Sequence, residues 1–545
     1  MSTLLQEISY AARQLRNAPG FALLAVLTLA LGIGANTAMF TVIESVLLHP
    51  LPYQRSDRMV YIGPAEGESF QSTSWVTYRD VRDQAQKLEN VALFSEDVGV
   101  IQGNEGSVSV VTPGVTPNTF RLLGIQPLLG RTFTEDEGQP GGPQVVLLSE
   151  GLWRQAFNAD PDIAGKTVRV NGKPRTVVGV MPASFVFPEI TGQDLHKGVW
   201  LPIQATTEMQ KDRGSHFFYI VAGLRPGVAM AQAKAELASI AQYIHQTDPE
   251  KGKDIAFRIA SYQEMLTGSV RDVLLALVIA LGLVLLIACG NVANLLIARC
   301  LGRQHEFAVR SALGAGQLRL VRQLFVEGGL LSALGCVFGL GIAWLAVSLI
   351  HKLPPDTIPR DETIALHWPV LLALAGIATL TTILTSVLPA LFVARTDPQP
   401  ALQAASRGLG SRSIGSRVSG WLVAGEVTLS TLLLIATGLL FHTLWNLEHT
   451  KLGFDVTHVS TFMSMPADAS GFANMSVSKN NEPAPTSVAT LFYRPALERM
   501  RQMPGVQEAA LITCPPLSGI EMNTSFKIVG RPDDPAHRPE PALQP

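Results

Sequence analysis

The chain has 545 residues, of which 47% are hydrophobic and 16% are charged, and its formal net charge is −2. The length is too great for one ordinary domain, and this balance is unusual for a soluble protein. The near-neutral charge gives no basic field, so nucleic acid is not expected as a partner. The four cysteines form no C-x-x-C pair, so neither a disulfide framework nor a zinc site is predicted.

The amino-terminal segment, 1–20, predicts a short amphipathic helix that ends at Pro19. Arg13 and Arg16 lie off its apolar stripe, which is typical of helices that lie in the membrane interface. A simple soluble leader is the alternative. The stripe consists of Leu4, Ile8, Ala11 or Ala12, and Leu15.

Five apolar runs are long enough to cross a hydrocarbon core of about 30 Å, which needs about 20 helical residues. The first run stays apolar well beyond the core of a signal peptide and has no convincing cleavage site, so we interpret it as an uncleaved anchor. The predicted spans are 21–48, 272–298, 325–350, 369–394 and 421–444.

Positive charge sets the predicted orientation, because Lys and Arg are retained on the cytoplasmic side. Arginines are concentrated before the first span and after the second and fourth spans, whereas the loop after the third span is more acidic. We therefore expect a cytoplasmic amino terminus and an exported carboxyl end. The cytoplasmic segments are then 1–20, 299–324 and 395–420, and the exported ones are 49–271, 351–368 and 445–545.

The long segment 49–271 has mixed helix and strand patterns and predicts an exported α+β domain. "TYRDVRDQAQKLENVALFS" reads as a helix followed by a strand, and "VAMAQAKAELASIAQYIHQ" as an amphipathic helix. "TVRVNGKPRTVVGVMP" predicts a hairpin that turns at Asn171-Gly172. The apolar face of the second helix consists of Ala233, Leu237, Ile240 or Ala241, and Ile244.

The tetrapeptide Ala164-Gly165-Lys166-Thr167 looks like the end of a phosphate-binding loop. Such a loop needs a glycine where this chain has Asp160, and it must open a helix, whereas Thr167 leads into a strand. Lys166 is therefore interpreted as a surface lysine beside the hairpin. Enzyme motifs such as H-E-x-x-H and G-x-S-x-G are missing, and Asp136 and Glu137 are interpreted as a solvated acidic turn. No catalytic, cofactor-binding or metal-binding residue is assigned.

The fifth span restarts the order of the first: a basic segment, an apolar run and then a further exported domain. Within that domain, "ATLFYRPALERMRQMPGVQEAALIT" repeats the helix-then-strand pattern of the first unit. The sequence ends before the remainder of the pattern, which suggests a partial second periplasmic domain and a truncated gene product.

Four stretches carry a resemblance to a known family: "GFALLAVLTLALGIGANTAMFTVIESVLLHPLPY", "VTPNTFRLLGIQPLLGRTFTEDE", "GKTVRVNGKPRTVVGVMPASFVFP" and "NVANLLIARCLGRQHEFAVRSALGAGQLRLVRQLFVEGGLL". The chain resembles the macrolide-exporter (MacB-like)/FtsX-like ABC transporter permeases, and most closely the duplicated permeases of acidobacteria. The resemblance implies an α-helical inner-membrane protein with a four-span FtsX-like unit. A large periplasmic core domain would lie between spans one and two, followed by a fifth span and part of a second domain.

The resemblance also implies a function. Permeases of this family transmit ATP-driven motion of a cytoplasmic ATPase to a periplasmic domain, for export or for handling of envelope molecules. Because this sequence has no recognisable ATPase domain, we expect a non-enzymatic subunit without cofactors that works with a separate ABC ATPase. Further partners could include a second copy or a paralogous permease, a periplasmic adaptor and the lipid bilayer. The alternatives are an FtsX-like regulator of a periplasmic enzyme and an inactive truncated paralogue.

In such permeases the loop after the second span carries the short helix that meets the ATPase, here "GRQHEFAVRSALGAGQLRLVRQ". Glu306 and Arg310 are four residues apart, so a helix would place them on one face. The alternative is that the arginines of this loop serve only topology and pair with lipid headgroups. The predicted ATPase contacts are Arg303, Glu306, Phe307, Arg310 and Gly314.

Polar and small residues within the spans have simpler interpretations. Glu44, Glu327 and Glu426 lie near span ends, where pairing or headgroup contact is cheap, and a proton relay is the weaker alternative. Gly335 and Gly339 form a G-x-x-x-G motif, which predicts close helix packing and only weakly suggests a dimer contact.

Overall fold

The computed structural model combines long apolar helices with an α+β domain inserted between the first two of them. Five helices are long and apolar enough to cross a membrane: Pro19–Leu48, Val270–Gly302, Leu318–Ile350, Trp368–Leu391 and Gly420–Glu448. Each overlaps one of the five predicted spans, and the predicted fold class is confirmed. The described residues are 2–66, 69–104, 106–185, 187, 198–249, 252, 255–303, 306, 317–352, 364–365, 367–394, 413–450, 459–462 and 492–512.

Helices within the described residues are labelled in chain order. A π-helical segment, Glu44–Leu48, continues the second of them without a break. The helices are α1 (Ser2–Arg16), α2 (Pro19–Ile43), α3 (Trp75–Gln84), α4 (Thr119–Leu123), α5 (Glu150–Phe157), α6 (Met230–Thr247), α7 (Tyr262–Gly302), α8 (Gln317–Ile350), α9 (Trp368–Ala394), α10 (Ser413–Glu448) and α11 (Arg494–Arg501).

One 13-stranded sheet forms the frame of the inserted domain. Its strands are β1 (Met59–Glu66), β2 (Ser69–Phe70), β3 (Leu88–Phe94), β4 (Val98–Gly103), β5 (Gly106–Val111), β6 (Gly114–Val115), β7 (Leu129–Gly130), β8 (Val145–Ser149), β9 (Thr167–Val170), β10 (Lys173–Met181), β11 (Val199–Pro202), β12 (Tyr219–Leu224) and β13 (Phe257–Ser261). Their order is β13-β1-β12-β3-β6-β11-β8-β10-β9-β4-β5, with β2 paired to β1 and β7 to β10. The β6–β11 and β8–β10 pairs are parallel.

Helices cover this sheet through the faces that periodicity predicts. The inward residues of α6, among them Leu237 and Ile244, are buried in one hydrophobic cluster with strands β1, β3 and β12. Helix α5 packs on β8 and β10 through Leu152 and Phe157 in a second cluster. The predicted amphipathic helix and the predicted helix-then-strand unit, α3 followed by β3, are both confirmed.

The tetrapeptide that resembles the end of a phosphate-binding loop leads into a hairpin, as predicted. Strands β9 and β10 pair antiparallel, and the turn between them has Asn171 at φ 52° and Gly172 at φ 76°. Two left-handed residues define the tight hairpin turn that Asn-Gly favours. The Lys166 ammonium pairs with the Asp160 carboxylate at the surface, so both residues serve this local turn.

The acidic turn at Glu137 differs from the prediction. The Glu137 side chain is buried and takes two bonds from the Arg131 guanidinium, at 2.7 and 3.0 Å. It also accepts the Thr134 backbone N–H at 2.8 Å, which caps the short 3-10 turn Glu135–Gly138. The prediction of a solvated residue is therefore wrong for Glu137, because a bidentate arginine and a backbone N–H replace its water.

The G-x-x-x-G motif packs helix α8 against α2 within the same chain. A Cβ atom placed on Gly339 would lie 3.0 Å from the Gly34 nitrogen, and one on Gly335 would lie 2.9 Å from the Leu29 Cβ. Gly34 faces them from α2, where a Cβ would lie 2.8 Å from the Gly339 oxygen. Small residues let the two backbones approach closely, so the predicted helix packing is confirmed.

Helix α11 is the part of the second unit that agrees with its predicted pattern. It covers Arg494–Arg501, within the segment expected to begin with a helix. The strand expected to follow is wrong for the described residues 502–512, where the backbone forms no strand. A strand needs a hydrogen-bonding neighbour, and among the described segments none pairs with these residues.

Candidate functional site

Helix α7 joins the inserted domain to the far end of the helical bundle without interruption. It starts directly after β13, where the Ser261 hydroxyl accepts the Glu264 backbone N–H at 3.0 Å and caps the helix. Its first residue, Tyr262, is buried in the central core of the inserted domain. The helix has 41 residues, a length of about 60 Å at about 1.5 Å per residue. It can therefore carry a displacement from one end to the other.

At its domain end, α7 meets the π-helical continuation of α2. The Gln263 side-chain amide donates to the Leu47 carbonyl at 2.5 Å. Val42 and Val46 pack with Val347 of α8 in a small hydrophobic cluster. We refer to this contact region as the domain junction. It ties the two chain connections of the inserted domain to each other and to the bundle.

The opposite end of the bundle carries a network of charged and polar side chains, which we name the polar junction. It brings together the inward face of α1, the end of α7 with the residues after it, and the start of α8. Its members are Glu7, Tyr10 and Gln14 of α1; Arg299, Arg303 and Glu306; and Arg322, Gln323 and Glu327 of α8.

Tyr10 and Arg303 hold the carboxylate of Glu306. The Tyr10 hydroxyl donates to Glu306 Oε1 at 2.7 Å, and Arg303 Nε donates to Glu306 Oε2 at 2.9 Å. Arg303 also donates to the Tyr10 hydroxyl at 3.1 Å. These three side chains form a closed triangle, although Tyr10 and Glu306 are 296 positions apart.

The same arginine reaches into the bundle. Arg303 donates to Glu327 Oε1 at 3.2 Å, and Gln323 donates to the same oxygen at 3.1 Å. The Glu327 side chain is 2% exposed, so a charge at this depth needs its partner. Of the two alternatives predicted for Glu327, pairing is the one that the geometry realises.

Two further contacts fix α1 to this end. Arg299 donates to the Gln14 backbone carbonyl at 2.6 Å and lies over the Phe21 ring, 4.8 Å from its centroid. Arg322 pairs with Glu7. Helix α1 is therefore bonded to both α7 and α8.

The electrostatics of the polar junction favour a permanently charged arginine. Burial lowers the pKa of Arg303, but the hydrogen bonds and charges of Glu306 and Glu327 outweigh it and raise the pKa above its ordinary value. Arg303 is thus a fixed cation shared by two carboxylates. An arrangement of this kind positions a segment; it does not supply a general acid or base.

The predicted ATPase contacts fall partly within this network. Arg303 follows the last residue of α7, and Glu306 lies beside it. Phe307, Arg310 and Gly314 lie outside the described residues, so the placement of Glu306 and Arg310 on one helix face stays a prediction. Within the described part of the chain, Glu306 bonds to Arg303 and Tyr10.

Sequence reasoning missed the contribution of α1. Glu7, Tyr10 and Gln14 follow one another at i, i+3 and i+7, so they share a helix face. This spacing of polar residues could have predicted a second, polar contact face on α1. The apolar spacing on the same helix is the more prominent pattern. The apolar stripe is itself split, because Ala11 and Leu15 are buried whereas Ile8 is exposed.

A reaction centre finds little support in the described residues. Among them, no group of three or more His, Cys, Asp or Glu side chains could hold a metal ion. The described cysteines in the helices are free thiols, namely Cys289, Cys300 and Cys336. The bonds of the two junctions and the helix α7 between them define the candidate site.

Two segments of the chain match models of known protein families. Residues 22–240 match the MacB-like periplasmic core domain, and residues 278–398 match the FtsX-like permease C-terminal domain. The first match covers most of α2 and most of the inserted domain, and the second covers most of α7 together with α8 and α9.

Curated relatives of known name are similar over about half of this chain. A macrolide export ATP-binding/permease protein MacB 2 from Aeromonas hydrophila is 27% identical over 291 residues, which cover 53% of this chain and 42% of the relative. MacB of Neisseria gonorrhoeae is 27% identical, with 46% and 37% covered, and MacB of Escherichia coli K12 is 25% identical, with 55% and 44% covered. The chain thus spans less than half the length of these relatives.

Solved structures that match include the periplasmic region of MacB from Actinobacillus actinomycetemcomitans. That structure has a TM-score of 0.30 at 18% identity, with 40% of this chain and 94% of the other covered. The extracellular domain of the noncanonic ABC-type transporter YknZ from Gram-positive bacteria has a TM-score of 0.28 at 13% identity, with 37% and 99% covered.

Proposed function

The chain belongs to the MacB-like/FtsX-like family of ABC transporter permeases, and from this premise we propose that it transmits the motion of a separate cytoplasmic ATPase to its periplasmic domain. This motion would drive export, or the handling of envelope molecules, at the outer face of the membrane. In this proposal the chain itself hydrolyses no ATP. Its helix α7 passes the motion of the ATPase to the periplasmic domain.

The continuous helix α7 is the observation that carries the proposal. It is anchored in the domain core by Tyr262 and in the polar junction through Arg299. A helix is stiff against sharp bending, because a bend stretches the backbone hydrogen bonds on its convex side. A push at one end therefore reaches the other.

The ATPase would engage at the polar junction. We propose Arg303, Glu306, Phe307, Arg310 and Gly314 as contacts, as expected for the loop that follows the second span in this family. Arg303 and Glu306 would set the position of that loop through their bonds to α1 and α8, and the other three would meet the partner. This placement requires a cytoplasmic amino terminus, which the arginine-rich segments favour.

The direct test is ATP hydrolysis by the partner. The full-length chain is reconstituted in nanodiscs with each candidate ATPase that co-purifies with it, and permease-stimulated hydrolysis is measured. Replacing Glu306 and Arg310 together by alanine should remove most of the stimulation while leaving membrane insertion intact, because the loop loses its charged contacts.

A matched control exists in the periplasmic domain. Glu150 and Arg154 of α5 form an i, i+4 pair of the same residue types, at 2.7 Å. Their double alanine variant should leave stimulation unchanged, because this pair lies in the periplasmic domain and not in the polar junction. Full stimulation by Glu306→Ala/Arg310→Ala would refute the coupling assignment.

A further inference from the structure

Helix α1 has an outer face that is exposed among the residues that the structure describes. Ala11 and Leu15 are buried against the bundle, whereas Leu5 is 64% and Ile8 is 40% exposed. The exposed positions recur at i, i+3, i+7, i+8 and i+11, so they form one continuous stripe. That stripe contains Leu5, Ile8, Ala12, Arg13 and Arg16.

The position of this stripe determines what can cover it. Only Asn17 and Ala18 separate α1 from α2, whose span begins at Pro19. The outer face therefore lies where the first span enters the bilayer. Apolar side chains next to arginines, at the level of the headgroups, match an anionic leaflet in both polarity and charge.

Tyr10 connects this outer face with the polar junction. A shallow, open cavity on α1 is lined by Leu5, Gln6, Ser9, Tyr10 and Arg13. The hydroxyl of the same tyrosine donates to Glu306 and accepts from Gln14 at 2.9 Å. The Tyr10 side chain therefore lines the cavity on the exposed face of α1 and also bonds to the polar junction.

We propose that the outer face of α1 binds anionic phospholipid headgroups of the adjoining leaflet, and that Tyr10 carries this binding to the Arg303–Glu306 pair. Lipid charge would then set the position of the segment that begins at Arg303. An effect of lipid charge on ATP hydrolysis would rest on the proposed function, whereas lipid binding and its transmission to Glu306 do not.

The test is hydrogen–deuterium exchange of the full chain in nanodiscs of phosphatidylcholine, with and without phosphatidylglycerol. Phosphatidylglycerol should slow exchange in α1 and alter it in the peptide that contains Arg303 and Glu306. Arg13→Gln/Arg16→Gln should lose both effects, because each arginine contributes about fivefold to the affinity for an anionic surface. Arg13→Lys/Arg16→Lys keeps the charge and should retain them.

Tyr10→Phe separates binding from transmission. It removes the hydroxyl but keeps the ring, so α1 should still be protected by phosphatidylglycerol while the Arg303–Glu306 peptide no longer responds. Exchange within the periplasmic domain is the folding control for each variant and should be unchanged.

Several results would overturn the proposal. These are protection of α1 that is independent of phosphatidylglycerol, equal protection by inorganic phosphate in neutral nanodiscs, or a full response in the Gln variant. A normal response of the Arg303–Glu306 peptide in Tyr10→Phe would overturn the role of Tyr10. If exchange follows the prediction but no ATPase is stimulated, the proposed function fails and the lipid site stands.

Discussion

Arg213 shows how a single side chain holds three segments of the periplasmic domain together. It is buried and donates to Asp80 at 2.7 Å, to Thr77 at 3.0 Å and to Asp248 at 3.2 Å. Asp80 and Thr77 lie on α3, and Asp248 follows α6. A buried cation with three acceptors fixes the distance between these helices.

Arg213→Met should destabilise the protein by about 3–5 kcal/mol, because the two aspartates lose their counter-charge. Thermal unfolding of the full chain in detergent measures the loss. Arg82→Met, on the same helix α3, removes an exposed arginine that pairs with Asp83, and it should cost about 1 kcal/mol or less. Equal unfolding midpoints for both variants would show that the Arg213 network is not structural.

Glu137 predicts a pH dependence with a definite sign. Burial raises its pKa, but the Arg131 and Thr134 hydrogen bonds outweigh this and hold the pKa below its ordinary value of 4.5. The ionised form is therefore favoured in the folded state. Its contribution is complete above the ordinary pKa and is lost as the pH falls through the lower, folded-state pKa.

The variant Glu137→Gln tests this sign. At neutral pH it should be less stable than the wild type, since the charge-assisted bonds to Arg131 are lost. The difference should shrink as the pH is lowered below about 4.5. Unfolding midpoints of the two proteins, compared across acidic pH, give the measurement, and a constant difference would contradict the assignment.

At the scale of elements, the contact between α2 and α8 depends on glycine. Gly339→Leu should force the helices apart and cost about 1–3 kcal/mol, because its Cβ would meet the backbone of Gly34 and Ala30. Gly341→Leu lies on the same helix, where no atom is within 4 Å of the added Cβ. Detergent melting curves should fall for the first variant only; equal curves would place the packing elsewhere.

Elements with a local periodic signal were predictable from the sequence. Helix α6 and the five spans follow from the spacing of apolar residues, and the β9–β10 hairpin follows from Asn171-Gly172, since each depends on neighbours in the chain. The strand expected after α11 shows the limit of this method, because a strand forms only when a partner lies beside it.

The polar junction was predictable only in part. Its arginines were visible as a basic segment, and the resemblance pointed to Arg303 and Glu306. Their bonds to Tyr10 and Glu327 join residues that lie far apart in the sequence, and no local pattern encodes such contacts. Glu137 is a different case, because its partners Arg131 and Thr134 lie only six and three positions away. Its Thr-x-x-Glu spacing was a local signal that the prediction of a solvated turn overlooked.

In the described part of the chain, the two junctions lie at opposite ends of one long helix, α7. The domain junction ties the periplasmic domain to α2 and α8, and the polar junction ties α1, α7 and α8 to one another. Helix α8 also contacts both junctions, but α7 is the helix that follows directly from a strand of the sheet, β13. Gly268 offers a place to test it, because it lies within α7, just before the membrane span.

Two substitutions at Gly268 should have opposite effects on the stability of helix α7. Gly268→Pro removes a backbone hydrogen bond and costs about 3 kcal/mol or more of helix stability. Gly268→Ala stabilises the helix by about 1 kcal/mol, and no atom lies within 4 Å of the added Cβ. The proline variant should interrupt transmission through α7, whereas the alanine variant should keep it.

The most direct measurement is hydrogen–deuterium exchange at the domain junction, in the peptides that contain Leu47 and Gln263. The full chain is bound to its ATPase in nanodiscs and compared in ADP and in a non-hydrolysable ATP analogue. Exchange there should change with the nucleotide in the wild type and in Gly268→Ala, and should stay constant in Gly268→Pro. Unchanged exchange in a wild-type complex that stimulates ATP hydrolysis would contradict transmission through α7.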